Sequence, residues 1–259
     1  MLTRTALYDK IIRGKGKISR TETPSAGGKK MLDKLKREVY EANLFLVEKG
    51  LVINTWGNVS GRDPETGLIV IKPSGVDYAD MRPSDLPVIT PAGERIEGEM
   101  RPSSDTPTHL EIYRAFPYVF GVAHTHSVYA TVYAQARRPI PPLGTTHADY
   151  FPGEVPVTRL LTPAEIAGEY EKNTGLVIVE SIQKGCAGMR ACLVASHGPF
   201  TWGKDAGEAA DVSYVLETVA RMAYLTETLS AVPFPAPMQD ELLDRHYSRK
   251  HGPGAYYGQ

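Results

Sequence analysis

Cysteine is scarce in this chain: two of 259 residues, Cys186 and Cys192. They make no C-x-x-C pair and cannot build a disulfide framework, which points to a reducing compartment, the cytoplasm. Long apolar runs are missing too. None reaches the roughly 20 residues of a membrane span, and the N-terminus lacks the apolar core of a signal peptide. Neither sign of charge dominates: 29 Lys and Arg against 30 Asp and Glu leave a formal net charge of −1. That balance removes the general reason to expect nucleic acid or an anionic membrane as partner. No internal repeat is found, and no linker after residue 31. What remains is the ordinary composition of a soluble globular protein, 42% hydrophobic and 23% charged, of a length that does not by itself choose between one domain and two.

Charge is uneven along the chain. Residues 1–30 hold eight Lys and Arg against Asp9 and Glu22, show little apolar periodicity and end in "TPSAGGKK". This stretch reads as a basic, disordered extension, or as sequence upstream of a natural start at Met31. Residues 31–259 read as one domain.

Its first segment is helical, with Leu32, Leu35, Val39, Ala42 and Leu46 recurring at three and four and Gly50 as the stop. "NTWGNVSGRDPETGLIVIKPSG" reads as two strands around a "DPETG" turn, and "LPVITPAGERIEG" as a second hairpin. "SSDTPTHLEIYRAF" opens with hydroxyls and an acid and continues as an amphipathic helix. The strand "FGVAHTH" and the helix "SVYATVYAQA" follow. "TPAEIAGEYEKN" starts with a capping box from Thr162 to Glu165. "ACLVASHG" is a strand running into His197, "DAGEAADVSYVLETVARMAYLTETL" a long helix, and "DELLDRHYSRKHG" a final short one before an aromatic tail. Helices interleaved with hairpin-like strands predict a single α/β domain with a central, mostly antiparallel sheet flanked by helices.

Side chains alternate along a strand, so His124 and His126 should point one way, and neutral imidazole is a good ligand for zinc and its neighbours. Taken alone, the spacing fits a half-exposed strand end with two solvated histidines equally well. His197, at the end of "CLVASHG", supplies a third ligand if its strand neighbours the first. A second set looks built for an anion: "TWGN" at 55–58, "KPSG" at 72–75 and "PSS" at 102–104 place small residues beside hydroxyl, amide or ammonium donors. Each also fits a capped turn.

Taken in order, "TWGNVS", "VIKPSGVDY", "RPSSDTPTH", "HTHS", "GTTHADYF", "ASHGPFTWGK" and "HYSRKHGPGAYYGQ" resemble the L-ribulose-5-phosphate 4-epimerases of the class II aldolase/adducin family, from about Met31 to Gln259. The resemblance implies a divalent metal, zinc with Mn or Co as substitutes, on His124, His126 and His197. Asp105 falls near or on that metal. Gly57, Asn58, Ser74, Gly75, Ser103 and Ser104 match substrate- and phosphate-binding positions, with Lys72 close by. Asp149 and Tyr257 match an acid–base pair. His246 and Arg249 match residues given by a neighbouring subunit of a homotetramer. The one shortening, around "QKGCAGMRAC", should alter a loop alone.

The implied reaction interconverts L-ribulose 5-phosphate and D-xylulose 5-phosphate. The inverted carbon is not acidic, so the C3–C4 bond breaks by a retro-aldol step, glycolaldehyde phosphate turns its other face, and the bond re-forms. A class II sugar-phosphate aldolase, such as L-fuculose-phosphate aldolase, is the nearest alternative. It has a glutamate where this chain has Asp105 and lacks a "HADYF" partner for the terminal tyrosine. A non-enzymatic relative without the histidines and an unrelated three-histidine hydrolase explain fewer of the motifs.

Overall fold

Successive residues in the short apolar runs face opposite ways, and this period of two gives the sheet two buried faces. The computed structural model describes residues 26–185, 187–230 and 235–256, with side chains from residue 32 onward. It has seven strands: β1 Asn58–Arg62, β2 Ile69–Ile71, β3 Val88–Ile89, β4 Arg95–Glu97, β5 Gly121–His124, β6 Ala191–Leu193 and β7 Pro199–Gly203. They form one sheet in the order β4-β3-β2-β1-β5-β7-β6, with every ladder antiparallel. Ile69, Ile71, Ile89 and Val122 enter one hydrophobic cluster; Val70, Val88 and Ala123, alternating with them, enter a second.

Eight α-helices stand among the described residues: α1 Ala26–Glu48, α2 Thr106–Ala115, α3 Val128–Ala136, α4 Thr145–Ala148, α5 Pro163–Ala167, α6 Tyr170–Lys184, α7 Ala206–Leu229 and α8 Asp240–His251. The stripe of Leu32, Val39, Ala42 and Leu46 on α1 covers the second cluster. α2, α3 and α6 pack over the first, through residues such as Ile112, Ala134 and Ile178. α7 serves both, with Ala206, Ala209 and Ala210 in one and Val212, Leu216 and Val219 in the other. The single α/β domain with a flanked antiparallel sheet is thus as the sequence predicts, and Leu32–Gln259 form one compact unit.

Three elements escape the pattern reading. α4 has no counterpart in it, "TPAEIAGEYEKN" is divided at Gly168 so that only its last four residues enter α6, and "PFTWG" is the strand β7, which lies between β5 and β6. The strands carrying the histidines are therefore not neighbours. β6 ends at Leu193, and the chain turns back through Val194–Gly198, where Val194 donates to the Gly198 carbonyl (2.9 Å) and His197 to that of Val194 (3.0 Å). Ser196 takes φ 62° to make this turn. His197 is thus a turn residue, and His126 lies just beyond the end of β5. Of the basic stretch 1–30, residues 1–25 lie outside the described residues, as does Cys186, whereas 26–30 belong to α1 and so depart from the disordered extension expected there.

Candidate metal centre and substrate pocket

Asn58, His124 and Phe200 sit side by side across the adjacent strands β1, β5 and β7. The His124 ring stacks on Phe200, with centroids 4.1 Å apart and 14° between planes. Its Nδ1 lies 3.0 Å from the Pro199 carbonyl oxygen, so a neutral imidazole donates there and keeps the Nε2 lone pair for a cation. His126 brings its own Nε2 to 3.2 Å from that atom. Nitrogen lone pairs facing each other at this distance repel unless something positive lies between them. His197 completes the group, and its buried Nδ1 has no protein partner. One nitrogen from each ring lies within 4.8 Å of the others. Burial, then the neighbouring His124 and His126, pushes His197 down to about 3, and burial lowers His126 as well. Both shifts favour the neutral imidazole that metal binding requires. This donor set fits a divalent cation of the zinc type.

The supports come from neighbouring elements. Beyond His126 the chain enters α3, whose first amides, those of Tyr129 and Ala130, each donate to the Glu217 carboxylate of α7 at 2.9 Å. Asp105 occupies the N-cap position of α2 but makes no side-chain cap bond. Its Oδ2 instead accepts from Asn58 Nδ2 at 2.7 Å. Burial opposes ionisation of Asp105, yet His124, His109 and the Asn58 bond together hold it below the usual carboxylate range. One helical turn on, His109 Nδ1 lies 2.7 Å from Ser60 Oγ, which is also 2.8 Å from the Tyr113 hydroxyl. A strand advances about 6.7 Å in two residues and a helix 6 Å in four, so Asn58 and Ser60 stay in step with Asp105 and His109. This polar seam fixes α2, and with it Asp105, against the strand next to His124.

These residues line a cavity of about 480 Å³. Gly57, Asn58, Lys72, Ser74, Gly75, Ser103, Ser104, Asp105 and the three histidines all face it. Turns 72–75 and 101–104 brace each other: Ser74 donates to the Arg101 carbonyl at 2.8 Å, and Ser103 to that of Lys72 at 3.0 Å. Those two amides are therefore engaged within the protein, while the exposed hydroxyls of Ser74 and Ser104 and the open space at Gly75 front the cavity. Lys72 is 1% exposed, and its Nζ reaches the carbonyls of Val76 (2.8 Å), Pro73 (3.3 Å) and Thr55 (3.4 Å). Burial lowers it to about 8. It ties the turns together from behind. Gly57 has φ 86°, and a Cβ there would meet Val52 at 2.8 Å and the His124 carbonyl at 3.1 Å.

Asp149, His246 and Arg249 gather elsewhere, outside the lining of this cavity. Arg249 Nη2 lies 2.9 Å from both Asp149 carboxylate oxygens, and His246 Nδ1 3.0 Å from Oδ1. Burial works against the charge of Asp149, but Arg249, His246 and Lys250 hold its carboxyl below the usual range. Tyr257 lies outside the described residues. Five cavity residues carry no role in the sequence reading: Thr55, Trp56, Pro73, Tyr170 and Glu171. Trp56 stood inside a quoted motif, whereas Tyr170 and Glu171 come from α6 and carry no motif of their own.

The family described as Class II Aldolase and Adducin N-terminal domain matches residues 37–224. An L-ribulose-5-phosphate 4-epimerase of Salmonella paratyphi B is 51% identical over 229 residues, spanning 88% of this chain and 100% of that protein. Among solved structures, an L-fuculose 1-phosphate aldolase superposes with a TM-score of 0.71 at 29% identity, over 83% of this chain and 95% of the other. L-fuculose-1-phosphate aldolase from Thermus thermophilus gives 0.61 at 26% identity, over 76% and 97%.

Proposed function

The chain belongs to the class II aldolase and adducin family, and from that premise we propose that it is a zinc-dependent epimerase interconverting L-ribulose 5-phosphate and D-xylulose 5-phosphate. The observation that carries inversion over plain cleavage is the likeness to an epimerase across that relative's whole length. His124, His126 and His197 would hold the zinc, with Mn or Co as substitutes and Asp105 on or beside it. Bound there, the ion supplies Lewis-acid stabilisation of the negative charge that develops as the C3–C4 bond breaks.

The chain's own groups do the rest. Gly57 and Asn58 border the sugar, and the Ser74, Gly75, Ser103 and Ser104 turns hold the phosphate so that the aldehyde fragment stays in place while it rotates. Lys72 acts by holding those turns in shape. Asp149 and Tyr257 move the C4 hydroxyl proton on the two faces. Asp149, with its partners His246 and Arg249, stands outside the cavity of its own chain, which supports a homotetramer whose sites are completed by a neighbour. Among the described residues no helix is long and apolar enough to cross a membrane, and we place the enzyme in the cytoplasm. The catalytic domain is residues 31–259, with 1–30 as an extension outside the chemistry.

The test is direct. Zinc-loaded protein given L-ribulose 5-phosphate should form D-xylulose 5-phosphate in a coupled assay, with little free glycolaldehyde phosphate. Release of both fragments without the epimer would establish the aldolase alternative instead.

A further inference from the structure

We propose that Trp56 closes the cavity over its contents and so decides between inversion and abortive cleavage; the inference rests on the epimerase reading above. Trp56 lines the cavity yet is 55% exposed, while the chain's other tryptophan, Trp202, is 1% exposed in the core. A large apolar ring left in solvent is informative when it sits at a pocket. This ring tilts against a proposed ligand, with its centroid 6.0 Å from that of His126.

Its mount is rigid. The Trp56 amide donates to the Ile53 carbonyl (2.9 Å), and its own carbonyl accepts from the Tyr78 hydroxyl (3.1 Å). Lys72 Nζ reaches the preceding carbonyl, that of Thr55. Gly57, which follows, sits at φ 86° in a space too tight for a Cβ. The backbone is therefore clamped on each side of a side chain that has few neighbours. Such a turn aims the indole without constraining its χ angles, which suits a group that settles onto a ligand.

The proposed reaction needs such a cover. Once C3–C4 is broken, the three-carbon enediolate must wait for the aldehyde to turn. A proton reaching C3 from water converts that fragment to dihydroxyacetone, and glycolaldehyde phosphate departs. Atoms balance without any oxidant or reductant: one pentulose phosphate gives a three-carbon ketone and a two-carbon aldehyde phosphate. Excluding water and holding the aldehyde close are both served by an apolar ring laid across the opening.

The experiment measures the ratio of released glycolaldehyde phosphate to D-xylulose 5-phosphate formed, for wild type, Trp56→Phe and Trp56→Ala. The ratio should rise by roughly tenfold in Trp56→Ala, equivalent to about 1.4 kcal/mol between the two fates, and by less in Trp56→Phe. A second arm is iodide quenching of tryptophan emission, which the buried Trp202 escapes. Adding glycolaldehyde phosphate to zinc-loaded wild type should shield Trp56 from iodide. An unchanged ratio with an epimerising wild type, or no shielding, overturns the inference. So does a Trp56→Ala variant altered only in the mass of its assembly. A wild type that forms no epimer overturns the epimerase reading, and the iodide arm then decides whether Trp56 closes.

Discussion

His124 answers to three partners at once: Phe200 against its ring, the Pro199 carbonyl on Nδ1, and His126 facing Nε2. Asparagine keeps a donor near Pro199 but has no second nitrogen to offer a metal. His124→Asn should therefore lower zinc affinity beyond the roughly 10–100-fold that loss of a supporting hydrogen bond costs. Metal content after dialysis and far-UV circular dichroism test this together; full zinc occupancy in the variant would remove His124 from the site. Other histidines govern acid stability. Burial pushes His109 down to about 3 and His147 to about 4, so both stay neutral in the folded chain. Unfolded histidine titrates near 6.5, so below that pH the unfolded state takes up protons the native state refuses. Their contribution is complete above about pH 6.5 and lost on acidification toward pH 3. The urea midpoint of metal-free protein should fall across this window, and a flat profile would refute the assignment.

The strand β1 and the helix α2 are joined by the seam of Asn58, Asp105, Ser60, His109 and Tyr113. Ser60 is fully buried and serves both His109 and Tyr113. Ser60→Ala leaves the histidine Nδ1 and the phenol hydroxyl without their shared partner, at a cost of about 1–3 kcal/mol. Asp105 would also lose its register with His124. Chemical denaturation and steady-state kinetics should show lower stability and lower turnover; a variant with wild-type values for both would make the seam incidental. None of this coupling was legible in the sequence, since nothing local tells a strand serine that a helix histidine will face it. Periodicity did reveal α1, α2, α3, α7 and both early hairpins, whose apolar residues repeat cleanly. It missed β7, which is buried at every position and so shows no alternation, the single-turn α4, and most of α6, whose buried face includes Thr174 and Gly175. The three histidines stand in motifs, but two of them lie beyond strand ends, where the sheet stops and side chains can converge.

Across the whole molecule, the proposed acid–base group and the cavity stand apart. Asp149 is gripped by Arg249 and His246 of the last helix, and neither it nor they line the pocket. α3 and α7 leave Val128, Val132, Met222 and Leu225 exposed, an apolar surface of the sort that subunit contacts cover. Mixing inactive His124→Asn with inactive Asp149→Asn subunits should restore activity to about a quarter of the wild-type value, because random closed rings give that share of sites one intact half from each neighbour. No recovery after demonstrated subunit exchange would mean that each site is built within one chain. The turn that returns β7 beside β5 has a further consequence, in time. His124 and the carbonyl that selects its tautomer are 75 residues apart, and His197 arrives only through that same late pairing. During folding, the nascent chain offers a cation two histidines at most, and the third joins once the distant strands have docked. Metal capture is then a closing latch, not a nucleus: it slows the escape from the native state while leaving the approach to it unhurried.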